Sequence, residues 1–167
     1  MSALYAVVGF IVVQRLAELA LATRNTRRLR ARGAVEVGAG HYPAIVALHI
    51  VWLAAMLIAV APETPAKLPL LAVFLALQVG RIWVIVSLGE RWTTRIIVLP
   101  GAPRVARGPY RYVKHPNYLI VCAEIAVVPL IFGAWWIALL FSGLNMAMLW
   151  HRIRIEDAAL AEAGKGR

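Results

Sequence analysis

Two short polar segments carry most of the side chains capable of chemistry in this 167-residue chain: RGPYRYVKHPNY, from Arg107 to Tyr118, and RIRIEDAAL, from Arg152 to Leu160. In the first, His115 titrates near neutrality and Tyr110, Tyr112 and Tyr118 can stack on a planar ring. Backbone donors at its glycine and proline turns can hold a carboxylate. In the second, Arg152 and Glu156 stand at i and i+4, so on a helix they share a face. Asp157 adds negative charge where a cationic or amine-bearing ligand could be received. Taken singly, these are a surface histidine, an aromatic belt and a surface ion pair. Roughly thirty nearly unbroken apolar residues separate the segments, and if those form two antiparallel membrane helices, both segments emerge on the same side. Two polar half-sites joined through a buried hairpin suit an enzyme working at a lipid boundary.

The composition demands a membrane. Hydrophobic residues make up 62% of the chain, charged residues only 16%, and mean hydropathy is +0.74, with the apolar residues gathered in long runs. The fold class this predicts is all-α: a polytopic membrane helical bundle of about five transmembrane helices, with an interfacial cytoplasmic loop and a C-terminal helix. The spans are Ala3 to Ala22, Pro43 to Ala61, Leu68 to Leu88, Tyr118 to Phe132 and Trp135 to Trp150. The last two are short, Pro129 interrupts the fourth, and they read as a hairpin turning at Gly133 with Trp135 and Trp136 at the far interface. Residues 1–167 are expected to form one integral membrane domain, with three spans in 1–88 and the ligand-binding loop, hairpin and C-terminal helix in 89–167. The first span does not read as a cleavable signal, because it lacks a basic leader and carries Gln14, Arg15 and Glu18.

Basic residues assign the orientation. Arg24, Arg27, Arg28, Arg30 and Arg32 follow span one; Arg91, Arg95, Arg104, Arg107, Arg111 and Lys114 lie between spans three and four; Arg152, Arg154, Lys165 and Arg167 follow span five. Only Lys67 falls in an opposite-side loop, so the positive-inside rule predicts an external N-terminus and a cytoplasmic C-terminus and active site in the cell's inner or plasma membrane. The net charge of +10 is therefore a topology signal, and no nucleic-acid partner is expected. The run from Arg24 to Arg32 reads as an anchor facing anionic membrane lipid.

Other chemistries lack their residues. A single cysteine, Cys122, excludes a disulfide framework, and His41, His49, His115 and His151 have no nearby ligands at zinc spacing, so no metal is expected. There is no dinucleotide-binding glycine fingerprint, P-loop or nucleophile elbow.

Polar residues also occur inside the spans. Arg15, His49, Arg81, Glu124 and Asn145 all fall roughly 10 Å below the cytoplasmic surface, with Gln14, Glu18 and Gln78 close to the same layer. Two arginines with two glutamates allow neutral pairing. The simpler reading is a network locking helices together; the alternative is the floor of a cavity open to the cytoplasm. The loop from Glu90 to Asn117, broken by Pro100, Gly101, Pro103, Gly108, Pro109 and Pro116, is predicted to be irregular and to lie at the interface.

GPYRYVKHPNY, an apolar hairpin and then RIxxEDxxL together resemble the isoprenylcysteine carboxyl methyltransferase family, whose members carry a GxY, an RHPxY and an R-x-x-x-E-E segment in this order. The resemblance covers roughly Leu88 to Leu160. QRLAEL, TRNTRRLRARGA and HYP look like the shorter bacterial members. It implies a membrane S-adenosylmethionine-dependent O-methyltransferase. Its acceptor would be a lipophilic small molecule or lipidated substrate from the inner leaflet: a prenylated carboxylate, or a polyketide such as an alkylpyrone or alkylresorcinol. Tyr110, His115, Pro116, Asn117 and Tyr118 match the family's cofactor contacts, and Ala102, Pro103, Arg104 and Val105 match a loop whose backbone lines the same pocket. Glu156 matches the acid holding the cofactor, and Arg152 an arginine near the point of methyl transfer. Lys114 replaces the usual Arg, Asp157 replaces the second Glu, and the FGxxYxxY tail of prenylcysteine enzymes is not present, which disfavours a prenylated protein as substrate. The alternatives are an NADPH-dependent membrane reductase of the sterol-reductase type and a small non-enzymatic transporter or lipid-binding bundle.

Overall fold

A computed structural model describes residues 2–165, with side chains through residue 162. Helix α1 (Ala3–Ala31) opens at Ser2, whose hydroxyl accepts from the Tyr5 N–H at 3.4 Å. Its 29 residues span about 44 Å, well past the predicted end at Ala22, because no glycine or proline interrupts the basic run before Gly33. The extension is tied down at its tip: Arg28 and Arg32 lie 3.5 and 3.4 Å from the carboxylate of Glu90.

Helices α2 (Tyr42–Ala59) and α3 (Leu68–Leu88) each carry proline in the first turn, where its missing N–H costs nothing. Three apolar helical stretches, Ala3–Ala31, Ala39–Ala59 and Leu68–Arg91, are long and hydrophobic enough to cross a membrane. Their side chains confirm the solvent: Val13, Leu16, Ile50, Ile58 and Val79 point outward, as they would into lipid. This is an integral membrane protein.

Helix α4 (Pro116–Ile131) has 16 residues, about 24 Å, and so falls short of a bilayer core of about 30 Å. It turns through Phe132–Ala134 into α5 (Trp135–Lys165), one unbroken helix that continues beyond the hydrocarbon. Gly133 at the turn has φ +74°, a left-handed conformation that a side chain would strain. Helix α3 packs on α4, α4 on α5, and α5 on α2, so the hairpin lies between the earlier spans.

Strand pairing was not anticipated by the sequence reading. Strand β1 (Val35–Val37) pairs antiparallel with β2 (Ile96–Val98), Glu36 opposite Ile97. Three-residue strands are too short to show alternation, yet this ribbon fastens the N-terminal half to the loop between α3 and α4.

Two apolar clusters are separated by polar side chains. One gathers Leu4, Val7, Trp52, Met56, Phe74, Ile125, Val128, Ile137 and Phe141, and the smaller one joins Ala22 and Val84 to Trp92. Between them on α1, α3 and α4, Arg15 reaches Glu18 at 3.1 Å and Glu124 at 2.5 Å, while Arg81 reaches the same two carboxylates, Glu124 at 3.2 Å. Gln14 donates to Glu18 at 3.1 Å and Gln78 to Glu124 at 2.9 Å. Two positive and two negative groups thus neutralise each other where unpaired charge would be costly. The expected layer is narrower than drawn from the sequence: His49 bonds its own helix at the Ile45 carbonyl, and Asn145 donates to Cys122.

Candidate active site

The loop between α3 and α4 is pressed onto the end of α3. Arg107 Nε donates to the Ser87 carbonyl at 2.7 Å, and Gly108, at φ +58°, approaches so closely that a Cβ there would lie 2.0 Å from Ser87 Oγ. Only glycine fits. The turn Gly108–Arg111 then sets Tyr110 against the small apolar cluster around Trp92, and burial followed by the negative charge of Glu156 pushes the Tyr110 phenol well above its ordinary pKa.

A cavity of about 730 Å³ opens between this loop and the emerging part of α5. Ala102, Pro103, Arg104, Val105, Tyr110, His115, Asn117, Tyr118, Arg152 and Glu156 all line it. Pro116 does not: it is buried at the start of α4, where its fixed φ begins the helix. None of Arg15, Glu18, Arg81 or Glu124 lines the cavity, so the intramembrane network is not its floor. Trp92, buried and lining the cavity, has the Arg81 guanidinium 6.0 Å from its ring centroid.

The two polar segments meet side chain to side chain. Tyr118 donates its hydroxyl proton to Glu156 Oε2 and accepts from Arg152 Nε at 2.8 Å. Arg152 Nη2 donates to the Thr94 carbonyl at 2.9 Å, while Nη1 and Glu156 Oε1 take no partner among the described residues. The His115 ring stacks on Tyr118 with centroids 5.2 Å apart and an interplanar angle of 19°. Outside this pair, Asp157 takes a hydrogen bond from Lys114 at 2.7 Å and lies 3.3 Å from His115 Nε2. The Lys114 bond, ahead of all other influences, holds the Asp157 carboxyl below its usual range. Asn117 Oδ1 is buried beside the cavity without a partner among the described residues.

Several wall and support residues were not legible as such. Trp92, Thr93 and Arg95 line the cavity, as does Leu29 from α1. Asn25, buried in the arginine run, donates to the carbonyls of Gly89 at 3.1 Å and Trp92 at 2.9 Å. A lone amide among arginines was the available signal.

Residues 70–162, from the first turn of α3 to the described end of the α5 side chains, match the isoprenylcysteine carboxyl methyltransferase (ICMT) family. The chain belongs to this ICMT family. It is 40% identical over 159 residues, 93% of this chain and 95% of the relative, to the uncharacterized protein YpbQ of Bacillus subtilis (strain 168). An uncharacterized protein of Haemophilus influenzae is 26% identical over 156 residues, 90% of this chain and 91% of that protein. No solved structure matches the chain. Within this ICMT-family protein every residue predicted for the site lies inside the matched stretch, whereas Asn25, Leu29 and the strand β1 precede it.

Proposed function

We propose that this protein transfers a methyl group from S-adenosylmethionine to an oxygen of a lipophilic acceptor at the cytoplasmic face of the membrane. One observation carries the reading: Tyr118, Glu156 and Arg152, from opposite ends of the apolar hairpin, are hydrogen-bonded together in the wall of one cavity. Membership of the ICMT family supports the same chemistry.

The lining suits the cofactor. Its volume lies in the usual small-molecule range of about 300 to 1,000 Å³. Among the described residues Glu156 Oε1 has no partner and can accept from a cationic or hydroxyl group, Asn117 Oδ1 is a buried acceptor with no donor, and the His115–Tyr118 stack offers a flat face. Bound there, S-adenosylmethionine would supply a methyl group on a positively charged sulfur.

The chain's own contribution is orientation and charge. Glu156 would hold the cofactor, its position fixed by the Tyr118 hydroxyl. Arg152, anchored at Nε and Nη2, keeps Nη1 available to hold a negative oxygen on the acceptor. Trp92, Ile96 and Val98, all buried in the cavity wall, exclude water from the reacting atoms. No general base is needed when the acceptor arrives as a carboxylate or enolate. A lipophilic acceptor, a prenylated carboxylate or a polyketide among them, would enter from the inner leaflet, and the soluble cofactor from the cytoplasm. This orientation follows from the clustering of basic residues at the cavity end of the helices.

Thermal unfolding of the purified protein in detergent tests the cofactor. S-adenosylhomocysteine should raise the transition temperature and NADP should not; the reverse result would replace this reading with the reductase. Mass spectrometry of lipid extracts from cells with and without the protein should then reveal an acceptor gaining one methyl group.

A further inference from the structure

The groups that hold Arg152 reach back into the half of the chain that precedes the family match. Thr94, whose carbonyl accepts from Arg152 Nη2 at 2.9 Å, has its hydroxyl 3.1 Å from the hydroxyl of Tyr42 at the start of α2. The Tyr42 ring carries the Arg95 guanidinium 4.6 Å from its centroid. Arg95 Nη1 donates to Glu36 Oε1 at 2.7 Å, and Glu36, on β1, also accepts from Arg30 at the end of α1. Glu36 and Tyr42 both lie before residue 70, where the match begins.

An arginine side chain has several rotatable bonds, so its guanidinium is no better placed than the acceptors that hold it. One of Arg152's two anchors is the Tyr118 hydroxyl, on a helix. The other is a carbonyl in an irregular loop. That loop is gripped on both sides of the carbonyl, by Tyr42 at Thr94 and by Glu36 at Arg95. The ribbon register, with Glu36 opposite Ile97, keeps the carboxylate within reach of Arg95.

We propose that Glu36, Arg95 and Tyr42 are positioning residues that fix the Thr94 carbonyl and thereby aim Arg152 Nη1, which takes no partner among the described residues, into the cavity. The proposal rests on Arg152 serving the acceptor, as read above, and it gives the N-terminal half a part in turnover. None of the three is required to touch the cofactor.

Tyr42→Phe keeps the ring beneath Arg95 and removes only the hydroxyl; Glu36→Gln removes the charge, and Glu36→Asp retains it. In full-length protein, Tyr42→Phe and Glu36→Gln should each lower kcat by about tenfold, the equivalent of one ordinary hydrogen bond, with Glu36→Asp close to the parent. Affinity for S-adenosylhomocysteine, read by calorimetry, should stay within about twofold, since no cavity group is removed. A second readout needs no methyl transfer. Phenylglyoxal should modify Arg152 several times faster in Tyr42→Phe and Glu36→Gln than in the parent, as mapped by peptide mass spectrometry, with Arg24 as the unchanged reference.

Unaltered Arg152 reactivity would overturn the proposal. So would a joint fall of cofactor affinity, thermal stability and kcat, which would mean that the wall had simply loosened, or failure of Glu36→Asp to restore the parent pattern. If the parent methylates nothing in any lipid extract while Arg152 reactivity changes as stated, the methyltransferase reading falls and the positioning of Arg152 stands.

Discussion

The hydroxyl of Tyr118 donates to the carboxylate of Glu156 across the open end of a hairpin whose turn lies at Gly133. Residues 38 apart in sequence are thereby joined, and the same hydroxyl accepts from Arg152. Glu156→Ala should therefore weaken S-adenosylhomocysteine binding by at least about tenfold, the range for a charge-assisted hydrogen bond. Calorimetry on the detergent-solubilised variant measures this, and unchanged affinity would take the cofactor away from Glu156.

Arg152→Ala should behave differently. With its Nη1 facing the acceptor, kcat should fall by about a hundredfold or more while cofactor affinity changes little, because the lost interaction forms chiefly as the methyl moves. Tritiated-methyl transfer and calorimetry on the one variant give both numbers. Equal losses in both would refute the division of labour between Arg152 and Glu156.

The intramembrane quartet predicts a stability defect without a binding defect. Glu124→Ala leaves Arg15 and Arg81 short of one carboxylate inside the bundle, and should cost about 3–5 kcal/mol. Thermal unfolding in detergent checks the loss. Cofactor affinity measured well below the transition should be near that of the parent, since Glu124 is not part of the cavity wall.

Gly108→Ala should be damaging out of proportion to its size. Its Cβ would meet Ser87 Oγ at 2.0 Å on a backbone held at φ +58°, so a loss of about 1–3 kcal/mol is expected together with a weaker cofactor site. Adding Ser87→Gly should recover part of the stability by removing the clash while leaving the backbone strain. No recovery would mean that the close approach is not what requires glycine.

A pH dependence follows from the Lys114–Asp157 bond. Because Asp157 is held below its ordinary value of 3.8, the bond contributes stability throughout the range above that value and loses it as pH falls through the lower, folded-state value. The difference in unfolding temperature between the parent and Asp157→Asn should be level from neutrality down to about pH 4 and shrink below it. A difference that did not shrink below about pH 4 would mean that the ionised Asp157 carboxylate is not its source.

Much of this architecture is written in local patterns. Leu68 to Leu88 is read directly as a span and is α3, because a run of apolar residues bounded by proline and glycine leaves few alternatives in lipid. The hairpin turn at Gly133 was equally legible. The end of α1 was not, since the loss of hydrophobicity at Ala22 marks the edge of the bilayer while the helix itself continues to Ala31. For the site, residues separated by short spacings were legible, as with Arg152 and Glu156 on one helical face. Pro116 entered with the motif but serves the start of α4, between two residues that line the cavity, without lining it itself.

By itself, then, the amino-acid order determined the membrane class, the spans and the two polar segments, because each depends on nearest neighbours: hydropathy summed over one helix, or side chains one turn apart. The tertiary structure decided which partners those side chains take. Three-residue strands meeting across the chain, Asn25 beneath the Trp92 carbonyl, and the path from Glu36 through Tyr42 to Arg152 all rest on contacts between segments far apart in sequence. Such contacts carry no periodic signature; they come into being when packed helices bring distant loops to the same end of the bundle.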